Sequence, residues 1–306
     1  MPKPKLHILH VENDELEADL FKNHLTQEFG EKGCDIVHVE SLADALKKLK
    51  ETAFNAILLD LDLNDIQGLD NVRAIKEQNP DIPIVVLSGH NDNKTALSAV
   101  RQGAQEYVIK GHSDSRVLGL AVLSSIERKS YERHLFRQAN HDDLTGLPNR
   151  RMFLEYMQRW LIRASRWKRT EVIMFLDVND FKEVNDTLGH DIGDALLEQI
   201  AARLRVGLRA SDMLARYGGD EFIVHLDTDA HISRDSCVKI AEKITSLFHS
   251  PISIGGHDIQ TGVSIGIAFY PEHGKNTTRL IQSADHAMYQ AKKLHKDYLF
   301  CAEVIP

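Results

Sequence analysis

Five short apolar runs recur along the first part of the chain: Leu6–Val11, Asp35–Glu40, Ala56–Leu61, Ile82–Gly89 and Glu106–Lys110. Between them lie stretches of helical periodicity, such as "SLADALKKLKET" and "NKTALSAVRQGA". Strands alternating with helices predict a parallel sheet covered on both faces. In such sheets ligands gather at the carboxyl ends of the strands. Polar residues stand at those ends here: Glu12 and Asn13 after the first run, Asp60 in the third, Ser88 after the fourth and Lys110 after the fifth. A carboxylate, a hydroxyl, an ammonium and a further acid at one sheet edge suit Mg²⁺ and a phosphoryl group, because hard oxygens bind the ion while the lysine and hydroxyl hold phosphoryl oxygens.

From Ser113 to Asn140 there is no proline and, after the start, only Gly119 among many good helix formers. The pattern predicts one continuous helix joining two domains, with weak coiled-coil character because "ERKSYERH" (Glu127–His134) interrupts any heptad seam. Beyond it, an apolar strand at Glu171–Leu176 ends at Asp177, and the segment "ARYGGDEFIV" (Ala215–Val224) sets two glycines and two acids between apolar stretches. A Gly-Gly pair between strand formers predicts a hairpin turn. If that turn lies beside the end of the Asp177 strand, Asp177 and Asp220 face a shared metal site of the kind used in phosphoryl and nucleotidyl transfer. The glycines Gly218 and Gly219 would also let the backbone approach a phosphate or base.

Composition narrows the setting. A length of 306 residues suits two domains, and a net charge of −8 disfavours nonspecific nucleic-acid binding. Cys34, Cys237 and Cys301 are far apart and form no C-x-x-C pair, as expected in a reducing cytoplasm. The 16 histidines show no H-E-x-x-H or other metal spacing. No apolar run approaches a bilayer span, and the N-terminus reaches acids too early for a signal peptide. A soluble cytoplasmic protein with no membrane partner and no direct DNA binding is expected.

The first part resembles a two-component receiver domain, from about Leu6 to Ser130. "LLDLDLNDIQGLD" is similar to the family's phosphorylation segment, with the phosphorylated aspartate at Asp60; "VVLSGH" supplies Ser88, and "GAQEYVIK" supplies the switch aromatic Tyr107 and Lys110. The resemblance implies Mg²⁺ at Glu12, Asn13 and Asp60, with a histidine kinase as partner. Three positions depart. Asn13 replaces an acid, which implies weaker Mg²⁺ binding unless Asp14 compensates, and Asn64 and Gly111 stand where the family usually has proline.

The second part resembles the GGDEF diguanylate cyclases. The resemblance runs from "DDLTGLPNRRMF" (Asp142–Phe153) through "LDVNDFKEVNDTLGHDIGD", the motif at Gly218–Phe222 and "GVSIGIAFYP" to "ADHAMYQAKK". It implies that two GTP molecules, one on each subunit of an antiparallel homodimer, condense to cyclic di-GMP and two pyrophosphates. It also implies Mg²⁺ (Mn²⁺ as an alternative) at Asp177, Asp220 and the Val178 carbonyl, with Glu221 and Lys182 assisting catalysis. Asn185 and Asp194 map to guanine reading, and Lys182, Lys292 and Lys296 to phosphate contacts, beside Gly218 and Gly219. Arg216 matches a favoured residue before the glycines. "RASD" maps Arg209 and Asp212 to an inhibitory product site. His295, Lys296 and Asp297 replace the usual glycine, arginine and asparagine, and a lysine cannot form a bidentate fork to phosphate.

The expected architecture is α/β: a (βα)5 flavodoxin-like receiver over 1–125, a helical linker over 126–140, and an α+β nucleotidyl-cyclase-like GGDEF domain over 141–306.

Overall fold

The computed structural model describes residues 5–65, 68–89, 93–111, 114–227 and 232–301. The chain divides into two compact units, Met1–Leu135 and Phe136–Pro306. No helix among the described residues is long and apolar enough to cross a membrane.

The first unit alternates strand and helix: β1 (Leu6–Val11), α1 (Glu15–Phe29), β2 (Cys34–Val39), α2 (Leu42–Glu51), β3 (Ala56–Asp60), α3 (Asp70–Gln78), β4 (Ile84–Ser88), α4 (Asn93–Arg101), β5 (Glu106–Ile109) and α5 (Ser115–Asn140). The strands form one sheet in the order β2-β1-β3-β4-β5, each pairing parallel. Every residue of β3 and β4 is buried, as a sheet covered on both faces requires. Leu9, Val11, Leu59 and Val86 face one apolar layer, while Ile8, Leu58 and Leu87 face the other with Phe21 and Leu25 of α1. The fourth strand starts at Ile84 rather than Ile82, because Pro83 has no N–H to give the ladder. Helix α5 is continuous, as the sequence predicts. Its first turns bury Leu118, Ala121 and Val122 against the sheet, whereas Tyr131, Leu135 and Phe136 are exposed. The expected start of this helix, Ser113, lies outside the described residues.

The second unit runs α6 (Arg150–Trp167), β6 (Glu171–Val178), α7 (Phe181–Leu188), α8 (His190–Gly207), β7 (Met213–Gly218), β8 (Glu221–Leu226), α9 (Arg234–Ser246), β9 (Ile252–Ile254), β10 (His257–Ile259), β11 (Val263–Tyr270), α10 (Thr277–Lys293) and β12 (Tyr298–Phe300). Its sheet has the order β12-β11-β6-β8-β7, antiparallel except for the β11–β12 pair; β9 and β10 make a separate small hairpin. Alternation along the strands sorts the core. Met174, Leu176, Phe222 and Val224 pack on α8 and α9, while Ile173, Phe175 and Ile223 pack on α6 and α10. Helix α10 lies close on β11 because Gly266 has no side chain: a Cβ there would fall 1.9 Å from the Ala284 carbonyl oxygen.

Candidate functional site

In the first unit, the parallel order brings the ends of β1, β3, β4 and β5 to one edge. Glu12, Asp60 and Ser88 are buried there. Lys110 reaches across, its Nζ 2.7 Å from Glu12 Oε2 and 3.1 Å from Asp60 Oδ1, and it also pairs with Glu17 of α1. Burial pulls the Lys110 ammonium down, but Glu12, Glu17 and Asp60 outweigh burial and hold it above the usual lysine range. Burial raises Glu12, and Lys110 offsets only part of that. Burial, then His38 and Lys110, push His10 down to about 3, so that ring stays neutral on β1 two residues before Glu12.

Asn13 donates from Nδ2 to the Asp62 carbonyl at 3.3 Å. Asp14 is committed elsewhere, since its Oδ1 accepts from the N–H groups of Leu16 and Glu17 as the cap of α1. Tyr107 is half-buried and packs on the core layer that includes Leu59 and Val86. Gly111 has φ +75°, a conformation that glycine accepts without a side-chain clash. Glu17 is the group that sequence reading missed. Its signal was modest: an acid in the first turn of the helix following Glu12.

In the second unit the glycine pair forms the expected hairpin turn between β7 and β8, with Gly219 at φ +53°. The β6–β8 register sets Asp177 directly opposite Glu221, and Val178 N–H donates to the Asp220 carbonyl at 3.2 Å. The acid directly across from Asp177 is thus Glu221, with Asp220 next to it in the turn. Burial raises Asp177; Lys292 opposes the shift, and Asp220 and Asp285 add to it. Burial also raises Glu221, helped by Asp285, Asp177 and Asp220. Lys292 of α10 forms an ion pair with Asp177. Lys182 and Lys296 are exposed and form no ion pair among the described residues.

Two features frame this acidic end. Arg216 locks the turn, its Nε and Nη2 donating to the Gly219 carbonyl at 2.9 and 2.7 Å and its Nη1 to both Asp142 oxygens at 3.0 and 3.1 Å. Asp142 also accepts from the Thr145 N–H and hydroxyl. Burial raises Asp142, but Thr145 and Arg216 outweigh it and hold the carboxyl below its usual range. Beside the turn opens a cleft of about 740 Å³ lined by Asp142, Arg150, Leu154, Tyr217, Gly218 and Gly219, with the Arg150 guanidinium 4.6 Å from the centre of the Tyr217 ring.

Asn185 of α7 and Asp194 of α8 stand on neighbouring helices, Asp194 exposed. The Asn185 Oδ1 is buried without a hydrogen-bond partner, and Gly193 makes room for it, since a Cβ there would lie 1.8 Å away. A buried carbonyl oxygen without a donor is costly. Arg209 is exposed. Asp212 is buried, with Oδ2 accepting from the Arg209 N–H at 2.9 Å and Oδ1 from the Asp227 N–H at 3.1 Å. Sequence reading missed Asp285 and the Asp142–Arg216 clamp; both meet their partners only through folding, Asp142 and Arg216 lying 74 positions apart.

A parallel unit with an acid–lysine cluster at its strand ends is thus followed by a helix-covered, largely antiparallel unit with acids at a glycine turn. The family model of the GGDEF diguanylate cyclase domain matches residues 139–297, and that of the response regulator receiver domain matches residues 8–122. The chain belongs to the GGDEF diguanylate cyclase family and carries an N-terminal receiver domain. It is 44% identical over 160 residues to the diguanylate cyclase TpbB of Pseudomonas aeruginosa (strain UCBPP-PA14), covering 52% of this chain and 36% of that protein. It is 29% identical over 248 residues to the response regulator PleD of Caulobacter vibrioides (strain NA1000 / CB15N), covering 77% and 54%. The chain thus spans about a third of TpbB and about half of PleD. The crystal structure of the coiled coil and GGDEF domain of DgcB from Caulobacter crescentus, in complex with c-di-GMP, matches 57% of this chain and 93% of that one at 24% identity and a TM-score of 0.51, which is a likeness of fold.

Proposed function

We propose that this chain is a response regulator whose output is the condensation of two GTP into cyclic di-GMP with release of two pyrophosphates. The observation that carries the proposal is the acidic end of the second unit. Asp177 lies across from Glu221 with Asp220 next to it in the turn, and burial and mutual repulsion raise Asp177 and Glu221. Such an array fits a divalent cation, which would be held by Asp177, Asp220 and the Val178 carbonyl. Mg²⁺ is the expected ion, with Mn²⁺ as an alternative; when bound it supplies neutralisation of the phosphate charge.

The remaining roles belong to side chains. Glu221, its proton affinity raised, accepts the proton of the attacking 3′-hydroxyl. Lys292 exchanges its partner Asp177 for phosphate, joined by Lys182 and Lys296. Asn185 and Asp194 read the guanine edge, and the unpartnered Asn185 Oδ1 favours a base that brings N–H donors. Gly218 and Gly219 let the backbone close on the nucleotide. Two copies are needed, because one site holds one GTP and the reaction joins two. In the receiver, phosphoryl transfer from a histidine kinase to Asp60 draws Lys110, Ser88 and Tyr107 into a new arrangement, with Glu12 and Asn13 beside Asp60 as the Mg²⁺ ligands. The product returns as inhibitor at the Arg209–Asp212 turn; Asp212 already holds two backbone N–H groups, so recognition there falls mainly to Arg209. We place this chemistry in the cytoplasm, with 1–125 as receiver, 126–140 as linker and 141–306 as cyclase.

The test is incubation of the purified chain with GTP and Mg²⁺, with products identified by chromatography and mass. Cyclic di-GMP is expected, absent for Asp220→Ala and after chelation of the metal. No product, even with the receiver phosphorylated by a small phosphodonor, overturns the proposal in favour of a nucleotide-binding module.

A further inference from the structure

The solvent side of α6 has a character that the cyclase reading does not use. From Arg159 to Arg169 the chain carries five cations and no acid, within a protein of net charge −8. The buried seam of α6 is Phe153, Met157, Leu161 and Ala164, which turns Arg159, Ile162, Arg163 and Arg166 to solvent. Ile162 is 71% exposed and Trp167 55% exposed. The Arg163 guanidinium sits 5.8 Å from the centre of the Trp160 ring, and the Arg169 guanidinium 5.1 Å from that of Trp167. None of the five cations has a carboxylate partner among the described residues, whereas Arg151, near the start of the same helix, pairs with Glu155 at 3.2 Å.

Compensation of the helix dipole accounts for a cation such as Arg166 in the last turn. It accounts neither for Arg159 and Arg163, which lie further back, nor for leaving an isoleucine and a tryptophan in water between them. Unpaired guanidinium groups interleaved with an aliphatic and an aromatic side chain match one chemistry on both counts: an interface of anionic headgroups over hydrocarbon. A nucleic acid would use the cations and the indoles but gives Ile162 nothing to enter.

We propose that the C-terminal half of α6 docks on an anionic lipid surface, with Arg159, Arg163, Arg166 and Lys168 at headgroup phosphates and Ile162 and Trp167 in the interfacial layer. This departs from the expectation of no membrane partner. That expectation rested on the lack of a spanning segment, which peripheral docking does not need. Along α6 the face runs from Arg159, next to Gln158 in the lining of the cleft, to Trp167, about 25 Å from Arg150 at 1.5 Å per residue. Vesicle binding is read without turnover, so its test does not depend on the cyclase reading.

The experiment has a built-in reporter, because the chain's only tryptophans, Trp160 and Trp167, both lie in this helix. The full chain is mixed with vesicles of phosphatidylcholine alone, or of phosphatidylcholine and phosphatidylglycerol in equal parts. Tryptophan emission and co-sedimentation are then read. The expected result is a blue shift and sedimentation with the anionic vesicles only, both reversed by salt. Arg163→Ser combined with Arg166→Ser weakens vesicle binding by about thirtyfold, the loss of two cations from an anionic field. Ile162→Ser reduces the blue shift. These positions face solvent, and the salt dependence of the unmodified chain decides the same question if a variant folds poorly. Absence of binding, equal binding to both vesicles, or binding unaffected by the arginine substitutions overturns the proposal. A fluorescence change with a single-stranded oligonucleotide but not with vesicles reassigns the face to nucleic acid, and vesicle-independent self-association lost in the same variants reassigns it to a second copy of the chain.

Discussion

At the scale of single residues, Asp177 and Glu221 beside the glycine turn hold their protons more tightly in the folded chain than in the unfolded one. Glu221 is raised first by burial and then by Asp285, Asp177 and Asp220. For a carboxyl raised in this way, the folded state binds more protons between the unfolded and folded pKa values, so stability falls as pH rises through that window. At neutral pH the ionised cluster is therefore a stability cost. Glu221→Gln is expected to lower turnover by at least about a hundredfold, the scale of a lost acid–base group. Its Tm at neutral pH should equal or exceed the parent's, with the difference closing below the carboxylate range. Paired kinetics and thermal melts across pH check both halves; a clear drop in Tm at neutral pH would show that Glu221 is a structural residue. Arg216 makes the opposite case. Its planar fork serves Asp142 and the Gly219 carbonyl at once, a geometry that a lysine ammonium cannot copy. Arg216→Lys keeps the charge, yet we expect kcat to fall roughly tenfold, about 1.4 kcal/mol of lost positioning, with little change in overall stability. Steady-state kinetics with GTP reads that split.

At the scale of elements, the site depends on how α10 lies on β11. A side chain at Gly266 would meet the Ala284 carbonyl at 1.9 Å and the Met288 backbone nitrogen at 2.2 Å, and backbone cannot step aside as a flexible side chain can. Gly266→Ala is expected to cost about 3 kcal/mol, at the upper end for overpacking, and to carry Lys292 and Asp285 away from Asp177; denaturant unfolding measures the first and loss of turnover the second. Just past the same helix, His295 has φ +52°, in the left-handed region that favours glycine. A non-glycine residue there costs about 1–2 kcal/mol, of which the greater chain entropy of unfolded glycine takes back roughly half. His295→Gly should therefore raise stability by about 0.5–1 kcal/mol, seen as a Tm higher by a few degrees.

These elements also mark what the sequence could convey. Alternating apolar runs located every strand of the first unit to within two residues, because a sheet buried on both faces leaves a continuous hydrophobic signature. The glycine turn was legible because a Gly-Gly pair between strand formers has few other uses. Asp285 was not legible as part of the acidic cluster, since its approach to Asp177 depends on α10 packing over Gly266. Nor was Glu17 as a third partner of Lys110, since that contact closes between residues 93 positions apart.

At the scale of the whole molecule, the two units share one uninterrupted helix. Its first turns are packed on the receiver sheet, and its exposed part, from Ser130 to Ala139, leads into the second unit. Under the proposed function, in which two cyclase sites must meet under control of the receiver, the state of Asp60 has to reach the second unit, and α5 is the covalent route. A helix transmits rotation as well as separation: each inserted residue turns everything beyond it by about 100°, whereas a heptad insertion returns it to within about 20°. Two residues inserted after Tyr131 should abolish stimulation by receiver phosphorylation while leaving GTP binding intact. Seven inserted at the same place should restore a substantial part of the stimulation despite the longer connector. Turnover measured with and without a small phosphodonor compares the two. If both insertions behave alike, α5 acts as a tether and the phase of the helix carries no signal; if only the heptad insertion responds, the receiver controls the cyclase by setting the angle at which its two copies face each other.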